Sequence, residues 1–271
     1  MPDRRIVTRM SQQSARFVGE RLEKAGRLHL KPLCVYSPAE MPHGTPRVSD
    51  LVKEGDRCLA KAVLLVAAGE AAAVGYTAEE KGICYGALTF LGLAEMSEQM
   101  VIDVAVSGED AAYMKASPEV CRETVRSIGK ITPPGKHLVI STCEAAGDVR
   151  PLSYLCFGNA EQIRNLCGLV HFGSGPAFGQ IDSPWGSNCS LFITYPAGMA
   201  AGALKGQAFI GPTAIDGNPW FPADLMSLGI PAAMGERMAG DMEKSFVTMR
   251  PEMAYPAEHD PVVMRALSRK T

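Results

Sequence analysis

Between residues 11 and 26 the apolar side chains fall at Phe17, Val18, Leu22 and Ala25. That spacing returns to one face every three to four residues and predicts a helix over Ser11–Gly26, with Gly26 as its stop. Leu30–Tyr36 is a short continuous apolar run and predicts a strand. Pro38, Pro42, Gly44 and Pro46 then mark a loop that neither period can cross. Helical spacing returns from Arg57 to Gly69, where Leu59, Ala62, Val63 and Val66 share a face, Asp56 is the cap and Cys58 lies in the first turn. Ala72–Tyr76 reads as a buried strand. Thr77-Ala78-Glu79-Glu80 reads as a capping box opening the helix that leads into Cys84.

Two helical stretches are expected within residues 107–128, around Glu109–Lys115 and Pro118–Ile128. His137–Cys143 and Leu152–Phe157 read as strands. Gly158-Asn159 then turns the chain into a strong helix over Ala160–Phe172, with Ile163, Leu166, Cys167 and Val170 on one stripe. After a glycine-rich stretch come the apolar segment Ser190–Tyr195, a strand over Gln207–Ile210 and the loop GPTAIDGNPWFP. Pro222 predicts a short helix ended by Gly229, and Pro231 suits the first residue of the last long helix. That helix carries Met234, Met238 and Met242 at four-residue steps, followed by Phe246, a stripe that belongs in a core. From Met249 onward the pattern is Pro-containing and irregular.

Strand and helix patterns alternate without a linker composition between them. The expectation is an α/β fold, with mixed α+β as the alternative. It is read as one domain over residues 1–271, built on a mixed sheet flanked by helices, with 1–10 and 250–271 as peripheral tails. A chain of 271 residues can bury a substantial core.

Composition narrows the function. Apolar residues make up 46% and charged residues 21%, as in ordinary globular proteins. A net charge of −2 argues against nucleic acid as a partner. Residues 1–30 do hold seven Lys/Arg against three acidic residues, which is read as a solvated helix face. No apolar run approaches the roughly 18 residues that span a bilayer, and the first residues lack a secretory hydrophobic core. A cytoplasmic location, without a membrane partner, is therefore expected.

The eight cysteines stand at 34, 58, 84, 121, 143, 156, 167 and 189, widely spaced and without a C-x-x-C pair. They are read as reduced thiols. Cys34, Cys121, Cys143, Cys156 and Cys167 fall in apolar strands or helix faces and are expected to pack as small hydrophobes. The other three differ. Cys58 is near a helix N-terminus, where the dipole favours a thiolate. Cys84 lies in GICYGALTFLGL between Gly82 and Gly86, glycines that would each cost roughly 1 kcal/mol in a helix interior and so need a reason to be there. Cys189 follows Trp185-Gly186-Ser187-Asn188 at a loop–helix junction. Three thiolates from separate segments can hold a metal or an iron–sulfur cluster with a position open to substrate. The glycine-rich GSGPAFG at 173–179 follows a helix rather than a strand and is out of register for a dinucleotide loop. His171 ends the 160–172 helix, where an imidazolium suits the dipole, or faces a site built by the glycine-rich stretch.

The ordered segments RCLAKA (57–62), CYGALTFLGL (84–93), LCFGNAEQI (155–163), CSLFITYP (189–196), GNPWFP (217–222) and LGIP (228–231) resemble the prokaryotic family known as domain of unknown function 169. The resemblance runs from about residue 15 to 250. It implies cysteines at the positions of Cys58, Cys84 and Cys189, and in many relatives a further one in the Phe209–Pro212 region followed by a G-x-R-like turn. Here that turn reads Asp216-Gly217-Asn218, so the fourth thiolate is absent. No activity comes with the family.

Two main functions follow as expectations, and neither decides whether the chain is an enzyme. In the first, Cys58, Cys84 and Cys189 bind an iron–sulfur cluster or metal for redox or small-molecule chemistry, and Trp185, Asn188, His171, Asn218 and Trp220 line the pocket. Its partners are a small-molecule substrate or a redox partner. In the second, the chain binds a small organic molecule without catalysis and its cysteines are structural. A thinner third option makes Cys84 or Cys189 a nucleophile with His171 as base. A homo-oligomer, by default a homodimer, is expected for a soluble chain of this kind.

Overall fold

A strand that is buried on both sides leaves its sheet with two apolar faces, and each must be covered by another layer. That requirement organises this protein. The computed structural model describes residues 13–53, 58–77, 79, 91–92, 97–107, 113–128, 136–198, 206–213 and 220–268. In chain order these form α1 (Ala15–Gly26), β1 (Leu33–Tyr36), α2 (Val48–Leu51), α3 (Leu59–Ala67), β2 (Ala73–Thr77), α4 (Glu98–Ala105), α5 (Pro118–Ile128) and β3 (His137–Thr142). There follow α6 (Cys143–Ala146), β4 (Ser153–Gly158), α7 (Ala160–Phe172), β5 (Ile181–Asp182), a π-helical turn (Ser190–Thr194), β6 (Ala208–Gly211), β7 (Met226–Pro231) and α8 (Ala232–Asp241). The strands make one sheet in the order β2-β3-β1-β4-β7-β6-β5, antiparallel at every step except the parallel β5–β6 pair. The expected mixed sheet flanked by helices is the architecture found. No helix among the described residues is long and apolar enough to cross a membrane.

Alternation sorts the strand residues between the faces. Leu33, Val35, Val74, Tyr76, Leu138, Ile140, Leu155, Phe157 and Phe209 pack with α3 and the π-helical turn. Cys34, Tyr154, Cys156, Ala208, Leu228 and Ile230 point the other way and pack with α1, α7 and α8. Met234, Met238 and Met242 are buried in this second layer, as their stripe predicted. A small satellite core of Ile102, Ala105 and Cys121 joins α4 to α5.

Local chemistry sets the helix ends. The Ser14 hydroxyl accepts from the Phe17 N–H at 3.2 Å and starts α1. It ends at Gly26, as expected, with Arg27 as the C-cap, which takes the left-handed conformation (φ 48°) and donates its N–H to the Glu23 and Lys24 carbonyls. Gly26 is also needed for space, because a Cβ there would stand 2.7 Å from the Leu28 side chain. The start of α7 is a capping box: the Asn159 carbonyl oxygen accepts from the Gln162 N–H and the Gln162 side chain from the Asn159 N–H, both at 3.0 Å. The Ala160–Phe172 and Pro118–Ile128 expectations match the structure at both ends.

Other expectations fail for physical reasons. The helix expected from Pro222 to Gly229 is replaced by β7, which lies between β4 and β6. Its residues Met226, Leu228 and Ile230 alternate with Ser227, Gly229 and Pro231, and Gly229 is a point of close contact rather than a helix stop. A Cβ at Gly229 would lie 2.7 Å from the Leu191 carbonyl oxygen, so the π-helical turn sits directly on the strand backbone. The helix expected around Glu109–Lys115 falls partly outside the described residues, and Tyr113 within it is left-handed (φ 52°). The helix α4, capped by the Ser97 hydroxyl, was not anticipated. The segment after Met249 contains helical turns at Pro251–Ala254 and Pro261–Ser268, and Asn165 donates its side-chain N–H to the Ala254 carbonyl at 2.8 Å. Of the capping box expected at Thr77–Glu80, Thr77 closes β2 and its hydroxyl accepts from the Glu79 N–H, while Ala78 and Glu80 lie outside the described residues.

Candidate functional site

On the α3 face, two of the three singled-out cysteines meet one apolar cluster. Cys58 is the N-cap of α3, one residue before the helix rather than inside its first turn, and its carbonyl accepts from the Ala62 N–H at 3.1 Å. It is half-buried and packs against the cluster from its edge. Cys189 is a member of that cluster and only 4% exposed.

Cys189 leads into the π-helical turn, whose defining bond runs from the Tyr195 N–H to the Ser190 carbonyl at 2.9 Å. Such turns occur mostly as single-turn bulges and frequently at functional sites. This one is held from both sides. The Ser187 and Ser190 hydroxyls share a hydrogen bond at 3.1 Å, and the Tyr195 hydroxyl donates to the Trp185 carbonyl at 3.2 Å. Thr213 donates to the Pro184 carbonyl at 2.8 Å. Gly186 leaves room for this crossing, since a Cβ there would lie 3.1 Å from both Ser190 and the Tyr195 ring. Burial pushes the Tyr195 hydroxyl up to about 12, with Ser190 opposing the shift.

Asn188 stands next to Cys189 and is only 2% exposed, yet neither atom of its side-chain amide has a hydrogen-bond partner. A buried amide without partners is expensive, of the order of 1–3 kcal/mol for each lost group, and is retained where something else satisfies it. An aromatic chain borders the region. Trp220 and Phe221 stand 5.9 Å apart, Phe221 and Phe192 6.2 Å, and Phe192 meets Phe157 edge-on at 5.0 Å.

The structure thus brings Cys58, Cys189 and Trp220 to one cluster, with Asn188 adjoining Cys189 in the chain. Trp185 anchors the turn through its carbonyl, and its ring lies under the Lys115 ammonium at 4.6 Å. His171 does not join this group: it is exposed at the end of α7, a helix that packs on the opposite face of the sheet. Cys84 and Asn218 lie outside the described residues. Among the described residues no three His, Cys, Asp or Glu side chains are grouped to hold a metal. Sequence reasoning missed the scaffold of Ser187, Ser190 and Tyr195. Its signal was the sheer density of small and hydroxyl residues in the stretch from Ser183 to Ser190.

A family model with the description Uncharacterised ArCR matches residues 21–241. No curated protein and no solved structure matches the chain.

Proposed function

The chain belongs to the family of uncharacterised ArCR proteins, domain of unknown function 169, and from that premise we propose a cysteine-lined cofactor site on the α3 face of its sheet. Cys58, Cys84 and Cys189 are its thiolate ligands, and an iron–sulfur cluster or a soft metal is the group they hold. The observation that supports the reading is the presence of two cysteines from distant segments at one apolar cluster, with an unpartnered buried amide next to one of them in the chain. The donor set suits such a group, and the Asn188 side-chain N–H is a ready donor to a ligand sulfur, the kind of contact that tunes a cluster. When bound, the group supplies either one-electron transfer or a Lewis-acidic iron for a small molecule. The chain's own contribution is to bind it and to keep water out with Phe192, Phe221 and Trp220.

The deciding measurement is anaerobic purification, with cluster-assembly support during expression, followed by iron and acid-labile sulfide analysis. Iron and sulfide in the wild type, lost in each of Cys58→Ser, Cys84→Ser and Cys189→Ser, is the expected result. Colourless, iron-free wild-type protein from that preparation would overturn the reading.

The half-buried Trp220 and Phe221 at the cluster's edge favour a second reading, a non-catalytic protein that binds a small organic molecule with structural cysteines. There Cys84→Ala leaves ligand affinity nearly intact, whereas the first reading requires the cofactor to be lost.

A further inference from the structure

The α1 face carries a second group of thiols, and its members were read from sequence as packing residues. Cys34 in β1 lies directly across from Ser141 in β3, with its sulfur 3.6 Å from the Ser141 hydroxyl. Two residues beyond Ser141, and therefore on the same face of the sheet, Cys143 opens α6, held by its N–H to the Pro32 carbonyl at 2.9 Å. The two thiols share one buried cluster, and hydrogen bonding between them is the largest influence on the titration of each. That bond, together with the one from Ser141, holds Cys34 below the ordinary thiol range despite its burial. The same bond, with burial, pushes Cys143 well up. The Cys34 thiolate can accept the Cys143 proton, which leaves Cys143, the member nearer the surface, as the attacking thiolate.

Two further observations show a site rather than a packed pair. Cys143, 3% exposed, lines a cleft of about 210 Å³ between α1 and α6, bordered by Arg16, Glu20, Glu23, Lys31 and Glu144. The backbone of α1 reaches Cys143 only because residue 19 is glycine: a Cβ there would collide with the Cys143 Cβ and stand 3.0 Å from its sulfur. Deeper in, Tyr154 pairs with Cys34 across β1 and β4, is fully buried, and its hydroxyl has no hydrogen-bond partner. Burial first, and then the nearby Cys143 and Cys34, disfavour its ionisation, so it stays neutral.

We propose that Cys143 and Cys34 are a redox-active dithiol that a small hydroperoxide, entering through the α1–α6 cleft, oxidises to a disulfide. Cys143 meets the oxidant, and Cys34 resolves the product. The Cys143 sulfur attacks one peroxide oxygen as its proton passes along the hydrogen bond to the Cys34 sulfur. The O–O bond breaks, leaving a sulfenic acid on Cys143 and releasing hydroxide, or alkoxide from an alkyl hydroperoxide. That base takes the proton back from Cys34. The Cys34 thiolate attacks the Cys143 sulfur, the S–S bond forms, and a second hydroxide leaves to take up the proton released when Cys34 first ionised. Two thiols and one hydroperoxide thus give one disulfide and two molecules of water, or one of water and one of alcohol. The cleft admits hydrogen peroxide or a short alkyl hydroperoxide and excludes a protein thiol, so a small dithiol must complete the cycle.

Cys156 serves as an internal control. It shares the face, but burial, with the Glu23 carboxylate adding to it, pushes it up to about 12, and no hydrogen bond relieves it. The experiment exposes reduced, full-length protein to one equivalent of hydrogen peroxide, blocks remaining thiols with one alkylating agent, reduces, labels with a second, and maps the labels by mass spectrometry. The expected result is the loss of two alkylatable thiols per chain, Cys34 and Cys143, recovered with dithiothreitol, while Cys156 stays a thiol. A Cys34→Ser chain treated in the same way should stop at a dimedone-reactive Cys143. Oxidation that spares the pair, or that consumes Cys156 or Cys121 first, would overturn the proposal, and the wild-type map decides it even if the variant fails to fold. Because the pair is on the opposite face from Cys58 and Cys189, the result is independent of whether a cofactor binds there.

Discussion

The two faces of the sheet are covered in different ways. The α1 face is closed by three regular helices whose apolar stripes meet the strands: Val18, Leu22 and Ala25 from α1, Ile163, Leu166 and Val170 from α7, and Met234 and Met238 from α8. Among the described residues the α3 face has α3, the short α2 and a π-helical turn seated on glycine-bearing strands, at Gly211 and Gly229. Regular helices satisfy their own backbone and leave side chains to pack. An irregular turn needs side-chain props instead, and it is here that Asn188, Ser153 and Ser227 have buried polar atoms without hydrogen-bond partners. On the α1 face the Tyr154 hydroxyl, across from Cys34 in the sheet, and an Arg237 nitrogen on α8 are such groups. Unspent polar groups mark the place where each face departs from pure packing.

The comparison can be broken most sharply at Phe192. It is fully buried in the π-helical turn and meets Phe157 edge-on, so Phe192→Ala should cost about 3–5 kcal/mol in urea unfolding. A loss below about 1 kcal/mol would mean that the turn does not close its face as a regular helix does.

Alkaline pH should separate the faces next. Burial pushes Cys156 up to about 12 and Cys167 to about 11 on the α1 face, and Tyr195 to about 12 on the α3 face. In each case the folded state keeps its proton longer than the unfolded chain, so stability is full below the unfolded pKa and falls as pH rises toward the folded one. The thiols begin to lose stability near pH 9 and the tyrosine near pH 10, each by about 1.4 kcal/mol per pH unit once the unfolded group is ionised. Melting temperatures from pH 8 to 11 should fall from pH 9. Cys156→Ala should flatten the first part of the decline, and Tyr195→Phe only the later part. A curve that is flat to pH 11 would show that neither face excludes solvent.

The smallest effect is the most diagnostic. Asn188→Leu removes an amide that has no partner, so the cofactor-free protein should keep its stability or gain up to about 1 kcal/mol, while iron loading falls. A loss of more than about 2 kcal/mol would instead assign the amide a structural partner.

Periodicity and capping carried the α1 face. The 3.6-residue stripe of α7 and the Asn159–Gln162 pair that starts it are local features, and a local pattern survives folding unchanged. The methionine stripe of α8 did likewise. Reading stopped where a residue serves a contact from elsewhere in the chain. Gly229 looked like a helix stop, although Met226, Leu228 and Ile230 alternate around it, because its lack of a side chain serves the Leu191 carbonyl rather than its own turn. Gly19, in the same way, is an ordinary helix residue until Cys143 is packed against it.

For the cysteines the division is the same. Residue type and cap position singled out Cys58 and Cys189 from the chain alone, since a helix start and a loop junction are local. Nothing local distinguishes Cys34 and Cys143 from any buried thiol, because their relation is made by strand register. Pairing Leu33 with Thr142 sets Cys34 opposite Ser141 and brings Cys143 into the same buried cluster. The segments that meet there are separated by α2, α3, β2, α4 and α5. A hydrogen bond between such segments costs more loop entropy than it returns, so the sheet must close first, and the pair exists only in the folded protein.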